Sequence, residues 1–246
     1  ELVTILLGKL TDEVLKQTDI MVISPGIPVD SAFVEDIKKA GIPVWSEIEL
    51  AYYFGKGKIA AITGTNGKTT TTALVGEIVK AWNPKTIVVG NIGIPYTELC
   101  DTTDDDSATV AEISSFQLET IHTFAPKVSA ILNITPDHLN RHHTMECYVE
   151  TKERIASNQT KADVCVLNYE DEVLRAFGES APVHVVWFSS ARKLAEGFYL
   201  DGEEIFYAHD GNTEKVINVN DLNLLGRHNY ENVMESVEEV RQSLLV

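Results

Sequence analysis

The chain has 246 residues, 44% of them hydrophobic, so it can bury one sizeable core or two modest ones. A formal net charge of −17 at pH 7 repels nucleic-acid phosphates and anionic membranes, so the composition excludes both as partners. No apolar run approaches the roughly 18 residues of a membrane-spanning helix, and no signal peptide opens the chain. The cysteines lack metal-binding spacing, which favours free thiols in a reducing cytoplasm.

The first 46 residues alternate short apolar strands with helical patterns. Strands are predicted at 3–7, 19–24 and 43–45, and a short helix at 12–17. A second helix begins at Asp30 or Ser31 and ends at Gly41. Its apolar face carries Phe33, Val34, Ile37 and Ala40. This order is typical of the latter half of a Rossmann-type domain whose first βαβ unit is lost.

A second alternating series begins near Lys58 and determines the fold class. Strands are predicted at 58–63, 86–90, 108–113, 128–134, 164–167 and 183–188. Helices are predicted at 68–82, at 145–158 and from Asn229 onward. A hairpin that turns at Asp201-Gly202 and a third strand at 216–219 predict a small antiparallel sheet. We therefore predict an α/β protein with a Rossmann-like N-terminal part and a P-loop-type central domain, whose sheet is mainly parallel.

The strongest chemical signal is the pattern TGTNGKTT at residues 63–70, between an apolar strand and an amphipathic helix. Glycines let backbone N–H groups turn toward phosphates, Lys68 adds a mobile cation, and the hydroxyl of Thr69 suits Mg²⁺. The strict Walker A spacing would place a glycine at position 62, which is Ile62. The alternative, an ordinary strand–helix turn, must account for two glycines, a lysine and a threonine in this order. The predicted nucleotide-binding residues are Gly64, Thr65, Asn66, Gly67, Lys68, Thr69 and Thr70.

Four polar residues fall at or just past the ends of predicted strands, where open parallel sheets bind their ligands. They are Lys68, Asn91, Glu112 and His138. Glu112 ends an apolar strand, and because a buried carboxylate is costly without a cation, Mg²⁺ on a nucleotide is its favoured partner. A structural salt bridge is the alternative. His138 by position alone fits a surface or core histidine, and we assign His142 and His143 to the surface.

Four segments together resemble the Mur ligase and folylpolyglutamate synthase superfamily. GTNGKTTTT at 64–72 has the shortened phosphate loop of that superfamily, and NITPDHLNRH at 133–142 is similar to its DH segment. EISSFQLE at 112–119 and SPGI at 24–27 look like the branch of Mur ligases that adds D-glutamate. The matches run in order from residue 20 to residue 234, which is nearly the whole chain.

The resemblance implies an ATP-dependent ligase of cytoplasmic peptidoglycan precursor synthesis. Such an enzyme joins the carboxylate of UDP-N-acetylmuramoyl-L-alanine to the amine of D-glutamate through an acyl phosphate. The implied catalytic residues are Lys68, Glu112, His138 and Lys152. Two magnesium ions would be held by Thr69, Glu112, His138 and Lys152, the last as a carbamate formed with CO₂. Carbamate formation requires a neutral amine, which burial supplies by lowering the lysine pKa.

The resemblance also implies where the substrates bind. The implied substrate-binding residues are Ser24, Pro25, Gly26, Asn91, Ser114 and Gln117. The first three would offer backbone amides to the uridine diphosphate, and the other three would bond the amino-sugar and muramoyl portions. Gln117 interrupts an apolar stretch, which is natural in a pocket wall. Asn229, at the start of the last helix, would face the adenine, although a plain helix cap explains it almost as well.

We expect residues 1–46 to be the remnant of a Rossmann-like UDP-binding domain and residues 47–246 to be the central ATP-binding domain. The C-terminal domain that binds the amino acid in this family would be absent, which predicts that the chain alone is inactive. A monomer is expected. Two alternatives stay open: another Mur or folylpolyglutamate-type ligase, and a non-catalytic ATP-binding module, which would not bind UDP-N-acetylmuramoyl-L-alanine.

Overall fold

The computed structural model describes residues 3–222 and 226–244. Its helices are α1 Asp12–Lys16, α2 Ala32–Lys39, α3 Glu47–Phe54, α4 Lys68–Trp82, α5 Tyr96–Leu99, α6 Ser115–Leu118, α7 Leu139–His142, α8 Met145–Glu153, α9 Glu172–Ser180 and α10 Arg227–Leu244. Its strands are β1 Met21–Ile23, β2 Val44–Ser46, β3 Lys58–Thr63, β4 Thr86–Gly90, β5 Ala108–Glu112, β6 Val128–Ile131, β7 Val164–Asn168, β8 His184–Ser189, β9 Gly197–Asp201, β10 Glu204–His209 and β11 Asn212–Asn218. None of the helices in these two ranges is long and apolar enough to cross a membrane.

Nine of the described strands form one sheet in the order β11-β10-β9-β8-β7-β6-β3-β5-β4. The neighbours from β4 to β9 pair in parallel, whereas β9, β10 and β11 pair antiparallel. Every residue of β5 and β6 is buried, as expected for parallel strands that helices cover on both faces. The predicted α/β class and the mainly parallel sheet are confirmed.

Two apolar clusters, one on each face, hold the large sheet between its helices. Helices α3, α5, α8 and α9 contribute to the first cluster with Ile48, Tyr96, Tyr148 and Leu174. Helices α4 and α10 contribute to the second with Val75, Val79, Val233 and Met234. Because β3 lies inside the sheet and is packed from both sides, the loop that follows it starts from a fixed point.

The N-terminal unit is smaller and has its own core. Strands β1 and β2 pair in parallel, and they enclose with α2 a cluster of Ile23, Val34, Ile37, Ile42 and Val44. The strand predicted at 3–7 is wrong, and its apolar side chains Val3, Ile5 and Leu7 are largely exposed. A strand needs a neighbour for its backbone hydrogen bonds, and among the described strands β1 pairs only with β2.

Other predictions differ at the boundaries of elements. Strand β6 ends at Ile131, before the predicted residue 134, and α8 ends at Glu153 and continues as one 3₁₀ turn. Phe33, predicted on the apolar face of α2, is 43% exposed. Helices α3, α5, α6, α7 and α9 have no counterpart among the predicted elements. The antiparallel strands extend the large sheet, because β9 pairs with β8, and the hairpin turns at Gly202-Glu203.

A fully buried carboxylate joins α3 to the loop that precedes β6. Glu49 is 0% exposed. Its Oε2 accepts the N–H groups of His122 and Phe124 at 2.9 and 3.0 Å. Its Oε1 accepts the N–H and the hydroxyl of Thr123 at 2.7 and 2.5 Å. Four donors therefore satisfy this carboxylate in a place that water does not reach.

Replacing Glu49 by alanine is expected to lower the free energy of unfolding by on the order of 3 kcal/mol, because three backbone N–H groups lose their acceptor, that of Phe124 at a buried position. Urea denaturation measures the loss. Glu35→Ala is the matched control, since Glu35 is an exposed glutamate in a surface pair with Lys38 and is expected to change stability little. Equal losses in the two variants would contradict the role given to Glu49.

Candidate active site

The carboxyl ends of four neighbouring strands meet at one edge of the large sheet. The order β6-β3-β5-β4 brings the loops that follow these strands side by side. With α8 they surround a cavity of ≈ 260 Å³. It is lined by Lys68, Asn91, Ser114, Ser115, Phe116, Asp137, His138, Tyr148 and Lys152. The structure thus brings together five of the predicted site residues: Lys68, Asn91, Ser114, His138 and Lys152.

The loop between β3 and α4 needs its two glycines. Gly64 and Gly67 have φ values of +148° and +88°, which favour glycine. A Cβ atom on Gly64 would lie 2.9 Å from the Cβ of Leu132, and one on Gly67 would lie 2.9 Å from Oδ1 of Asn232. Because Gly67 is the N-cap of α4, the free N–H groups of the first helical turn are available to an anion.

The segment after β6 clamps this loop from outside. Asn133 accepts the N–H of Asn66 through Oδ1 at 2.9 Å and donates from Nδ2 to the carbonyl of Asn66 at 3.1 Å. The carbonyl of Asn133 accepts the N–H of Thr65 at 2.9 Å. The hydroxyl of Thr65 accepts the N–H of Thr135 at 3.0 Å. The loop is therefore preorganised by hydrogen bonds to a different strand end.

Glu112 is a buried carboxylate, 2% exposed, at the end of β5. Its Oε2 accepts the hydroxyl of Thr69 at 2.9 Å, and its Oε1 accepts the amide Nδ2 of Asn91 at 3.0 Å. Neither donor is a cation, so the salt-bridge alternative finds no support in these contacts. The carboxylate is held at the start of α4, beside the phosphate loop.

Two lysine amines converge on one backbone carbonyl. Lys152, 2% exposed, donates to the carbonyl of Gly64 at 2.8 Å, and Lys68 donates to the same oxygen at 3.0 Å. Burial, with the nearby charge of Lys68, lowers the pKa of Lys152 to about 7. Burial also lowers the pKa of Lys68, against the opposing charges of Glu112 and Asp137. A fraction of Lys152 is therefore neutral near pH 7.

His138 lines the cavity and is half-exposed. It has a left-handed backbone, with φ of 52°, and its side chain is 50% exposed. Its Nε2 lies 3.5 Å from Oδ2 of Asp137, and its ring lies against Phe116 with centroids 5.0 Å apart. His143 is exposed and lies 3.2 Å from a carboxylate oxygen of Asp30.

The surface assignment of His142 is wrong. His142 is 2% exposed, and its ring stacks on Phe116 with centroids 5.6 Å apart. Its Nε2 lies 3.0 Å from the hydroxyl oxygen of Ser115. Burial, reinforced by neighbouring cations, lowers the pKa of His142 to about 4. The ring is therefore neutral at pH 7 and supports the wall of the cavity from behind.

Gln117 lies behind the cavity lining. It is 2% exposed, and its Oε1 accepts the N–H and the hydroxyl of Ser114 at 2.9 and 3.0 Å. Its Nε2 lies 3.3 Å from Oε2 of Glu47. The N–H of Gln117 donates to Oγ of Ser114 at 3.3 Å. With the bond from the N–H of Ser114 to Oε1, this forms a capping box at the start of α6, so Gln117 fixes Ser114 in place. The sequence analysis placed Gln117 in the pocket wall, whereas its side-chain oxygen is bonded to Ser114 behind that wall. Direct binding of substrate by Gln117 stays a prediction.

Four further predicted residues lie beyond this cavity. Ser24, Pro25 and Gly26 form the turn after β1, with Ser24 and Gly26 exposed. Asn229 lies in the first turn of α10, where its Oδ1 accepts the amide of Asn232 at 3.4 Å. Because Asn232 also approaches the phosphate loop, this end of α10 lies next to the nucleotide-binding pattern.

Sequence reasoning missed several residues that build the site. They are Asn133, Ser115, Phe116, Asp137 and Tyr148. All but Tyr148 lie inside the segments that carried the family resemblance. A signal was present for Asn133, a polar residue at a predicted strand end, whereas the lining by Tyr148 depends on how α8 packs.

The sequence matches two domain families of the Mur ligases. The Mur ligase middle domain matches residues 62–238, and the Mur ligase MurD-like N-terminal domain matches residues 1–46. UDP-N-acetylmuramoylalanine–D-glutamate ligase of Lachnospira eligens is 63% identical over 233 residues, which are 95% of this chain and 52% of that protein. The ligase of the same name from Clostridioides difficile is 48% identical over 220 residues, 89% of this chain and 49% of that protein. The chain spans about half the length of these curated relatives.

Solved structures show the same fold at low identity. UDP-N-acetylmuramate:L-alanyl-γ-D-glutamyl-meso-diaminopimelate ligase from Neisseria meningitides superposes with a TM-score of 0.63 at 17% identity, over 92% of this chain and 74% of that one. MurF ligase from Thermotoga maritima, solved in complex with ADP, gives 0.57 at 17% identity, over 92% of this chain and 61% of that one.

Asn133→Ala is expected to weaken binding of magnesium–ATP about fivefold to tenfold, because the loop loses both side-chain bonds that fix Asn66. Isothermal titration measures the change. Asn83→Ala is the matched control: Asn83 also clamps backbone, at Lys85 and Asp106, but after the far end of α4. Unchanged affinity in Asn133→Ala, or an equal loss in both variants, would contradict the clamp.

The pKa of Lys152 predicts a pH dependence of stability. Below pH 7 the folded and unfolded chains are both protonated there, and the fold bears the full cost of a buried charge. From pH 7 to the ordinary lysine pKa of 10.5, the unfolded chain holds a proton that the folded chain lacks, so stability rises with pH. Lys152→Met removes this rise.

We expect the unfolding free energies of wild type and Lys152→Met to diverge across this window by up to about 1.4 kcal/mol per pH unit. Urea denaturation in CO₂-free buffer at pH 7, 8 and 9 measures the difference, with exposed Lys161→Met as control. Parallel curves for wild type and Lys152→Met would show that the burial of Lys152 does not shift its titration.

Proposed function

The chain belongs to the Mur ligase family, and we propose that the protein is an ATP-dependent ligase that joins D-glutamate to UDP-N-acetylmuramoyl-L-alanine in peptidoglycan precursor synthesis. The 63% identity to a D-glutamate ligase supports this branch over a folylpolyglutamate-type enzyme. The structural observation that carries the proposal is the carboxylate of Glu112. Thr69 and Asn91 hold it beside a cavity that contains the amines of Lys68 and Lys152.

The side-chain oxygens beside the loop are suitable ligands for the magnesium ion of a bound nucleotide. Oγ1 of Thr69 and Oε2 of Glu112 lie 2.9 Å apart and are the hard oxygen donors that Mg²⁺ prefers. The glycines let the loop pass close to Leu132 and Asn232 in a backbone conformation whose N–H groups could bind phosphates. The ADP in the Thermotoga maritima MurF structure supports the same nucleotide class here. When bound, Mg²⁺ would neutralise negative charge on the phosphates.

Lys68 would follow the transferred phosphoryl group. Its amine now donates to the carbonyls of Gly64 and Thr65, at 3.0 and 2.9 Å, within the loop itself. Phosphate oxygens in the loop would replace these neutral acceptors with charged ones, which bind an ammonium more strongly. Lys68 would then stabilise the charge that develops between the phosphates and the attacking carboxylate.

The proposed reaction has two steps. A carboxylate oxygen of UDP-N-acetylmuramoyl-L-alanine attacks the γ-phosphorus of ATP, the bond to ADP breaks, and an acyl phosphate forms. The amine of D-glutamate then attacks the acyl carbon, the amide bond forms, and phosphate and a proton leave. Asn91 and Ser114, which line the cavity, would bond the muramoyl portion, and the turn of Ser24, Pro25 and Gly26 would bind the uridine diphosphate.

Lys152 would act as an anion in the working enzyme. Its neutral amine can attack CO₂, which forms a carbamate and releases one proton. The pKa of about 7 supports this reaction, because the reactive form is then populated at neutral pH. A carbamate here would add oxygen donors for a second magnesium ion, together with His138, which also lines the cavity.

The proposal also includes an adenine contact, an oligomeric state and a location in the cell. Asn229 would contact the adenine, since its end of α10 lies against the phosphate loop. A monomeric state and a cytoplasmic location complete the proposal. A non-catalytic ATP-binding module, the rival from another class, would bind ATP and leave UDP-N-acetylmuramoyl-L-alanine unbound.

Lys68→Ala and Glu112→Gln in the full-length protein are each expected to lower D-glutamate-dependent phosphate release at least about 100-fold, because both act where charge develops. A coupled phosphate assay with UDP-N-acetylmuramoyl-L-alanine and magnesium–ATP measures the rate. Lys80→Ala is the control, an exposed lysine on the same helix in a surface pair with Glu77, and is expected to keep the wild-type rate. Either site variant retaining more than about a tenth of that rate would contradict the assignment.

A further inference from the structure

Arg141 and Glu119 form a buried ion pair that the proposed chemistry does not use. Their side chains are 11% and 9% exposed. Arg141 donates from Nη2 to Oε2 of Glu119 at 2.6 Å and from Nε to Oε1 at 3.2 Å. The guanidinium carbon lies 4.8 Å from the ring centroid of Phe116, which lines the cavity. Two bonds and a ring contact together fix the plane of the guanidinium.

The same guanidinium reaches the N-terminal unit. Nη2 of Arg141 also donates to the carbonyl of Ile27 at 2.8 Å. Ile27 closes the turn after β1, because its N–H donates to the carbonyl of Ser24 at 3.0 Å. Arg141 therefore holds the last residue of the turn for which we propose a contact with the uridine diphosphate.

The segments that carry Arg141 and Glu119 also line the cavity. Arg141 belongs to α7, which begins directly after His138, and Glu119 follows α6, which carries Phe116. The loops that follow β1, β5 and β6 thus meet at one guanidinium. The N–H of Ser46 donates to the carbonyl of Thr120 at 3.2 Å and holds the N-terminal unit at β2, away from its ligand-bearing turn. The contact of His143 with Asp30 lies just beyond that turn.

We propose that Arg141 is a positioning residue that sets the distance between the turn after β1 and the reaction cavity. A nucleotide-linked sugar has to span both, so its binding depends on that distance. ATP would bind at the phosphate loop alone, so its binding would not depend on that distance. The inference rests on the proposed function, because it assigns the nucleotide-linked substrate to this turn.

Arg141→Lys tests the inference with little risk to folding. Lysine keeps a positive charge near Glu119, but it has one nitrogen in place of the two, Nε and Nη2, that make the hydrogen bonds of Arg141. Arg175→Lys is the matched control. Arg175 also lies over an aromatic ring and donates to a carbonyl, both of Tyr169. It belongs to α9, which follows β7, and not to the segments that meet at Arg141.

The dissociation constant of UDP-N-acetylmuramoyl-L-alanine, from isothermal titration of the full-length protein, is expected to rise about tenfold in Arg141→Lys. That of magnesium–ATP is expected to stay within about twofold. Hydrogen exchange at residues 24–28 is expected to accelerate. Arg175→Lys is expected to change none of the three.

Unchanged affinity for the nucleotide-linked sugar, or an equal loss for both ligands, would overturn the positioning role. A wild-type protein that binds ATP but not the sugar nucleotide would instead count against the proposed function. Hydrogen exchange separates the two cases, because it needs no ligand. Exchange at residues 24–28 that is the same in wild type and Arg141→Lys would overturn the inference on its own.

Discussion

The carbonyl oxygen of Gly64 accepts hydrogen bonds from two lysine amines, and the chemistry of the site depends on this shared acceptor. Lys68 and Lys152 are brought to one point, where burial lowers the pKa of both. In a chain with a net charge of −17, this is a local concentration of positive charge. An anion bound in the loop would stabilise the protonated amines, whereas carbamylation of Lys152 would remove one of the two like charges. Either event would reduce the electrostatic repulsion between the two protonated amines, which the fold brings to one acceptor.

The backbone that carries this acceptor is fixed by the sheet. Strand β3 lies inside a nine-stranded sheet of the described residues and is packed by helices on both faces. Asn133 extends that rigidity into the loop, and Glu112 ties the start of α4 to the end of β5. The loop is thus set before a ligand arrives. Preorganised groups of this kind suit the transfer of a charged group, because they need little rearrangement when charge develops.

Local sequence patterns predicted the elements on both sides of the phosphate loop. Features that depend on packing between distant segments could not be predicted in this way. The end of β3 and the start of α4 follow from residues 63–70, which contain a strand end, two glycines and a helix start. Gln117 could also have been placed, since Ser114 and Gln117 have the spacing of a capping box. The burial of His142 could not, because it depends on Phe116 and Tyr148 from separate segments. Likewise, an apolar alternation at 3–7 cannot reveal whether a partner strand exists.

We propose that this site transfers a phosphoryl group to a substrate carboxylate. The most direct measurement uses UDP-N-acetylmuramoyl-L-alanine labelled with ¹⁸O in its carboxylate, incubated with the full-length protein, magnesium–ATP and D-glutamate. An acyl phosphate requires one labelled oxygen to appear in the released phosphate, which mass spectrometry detects. Released phosphate that carries no label, while the labelled amide product forms, would contradict the account.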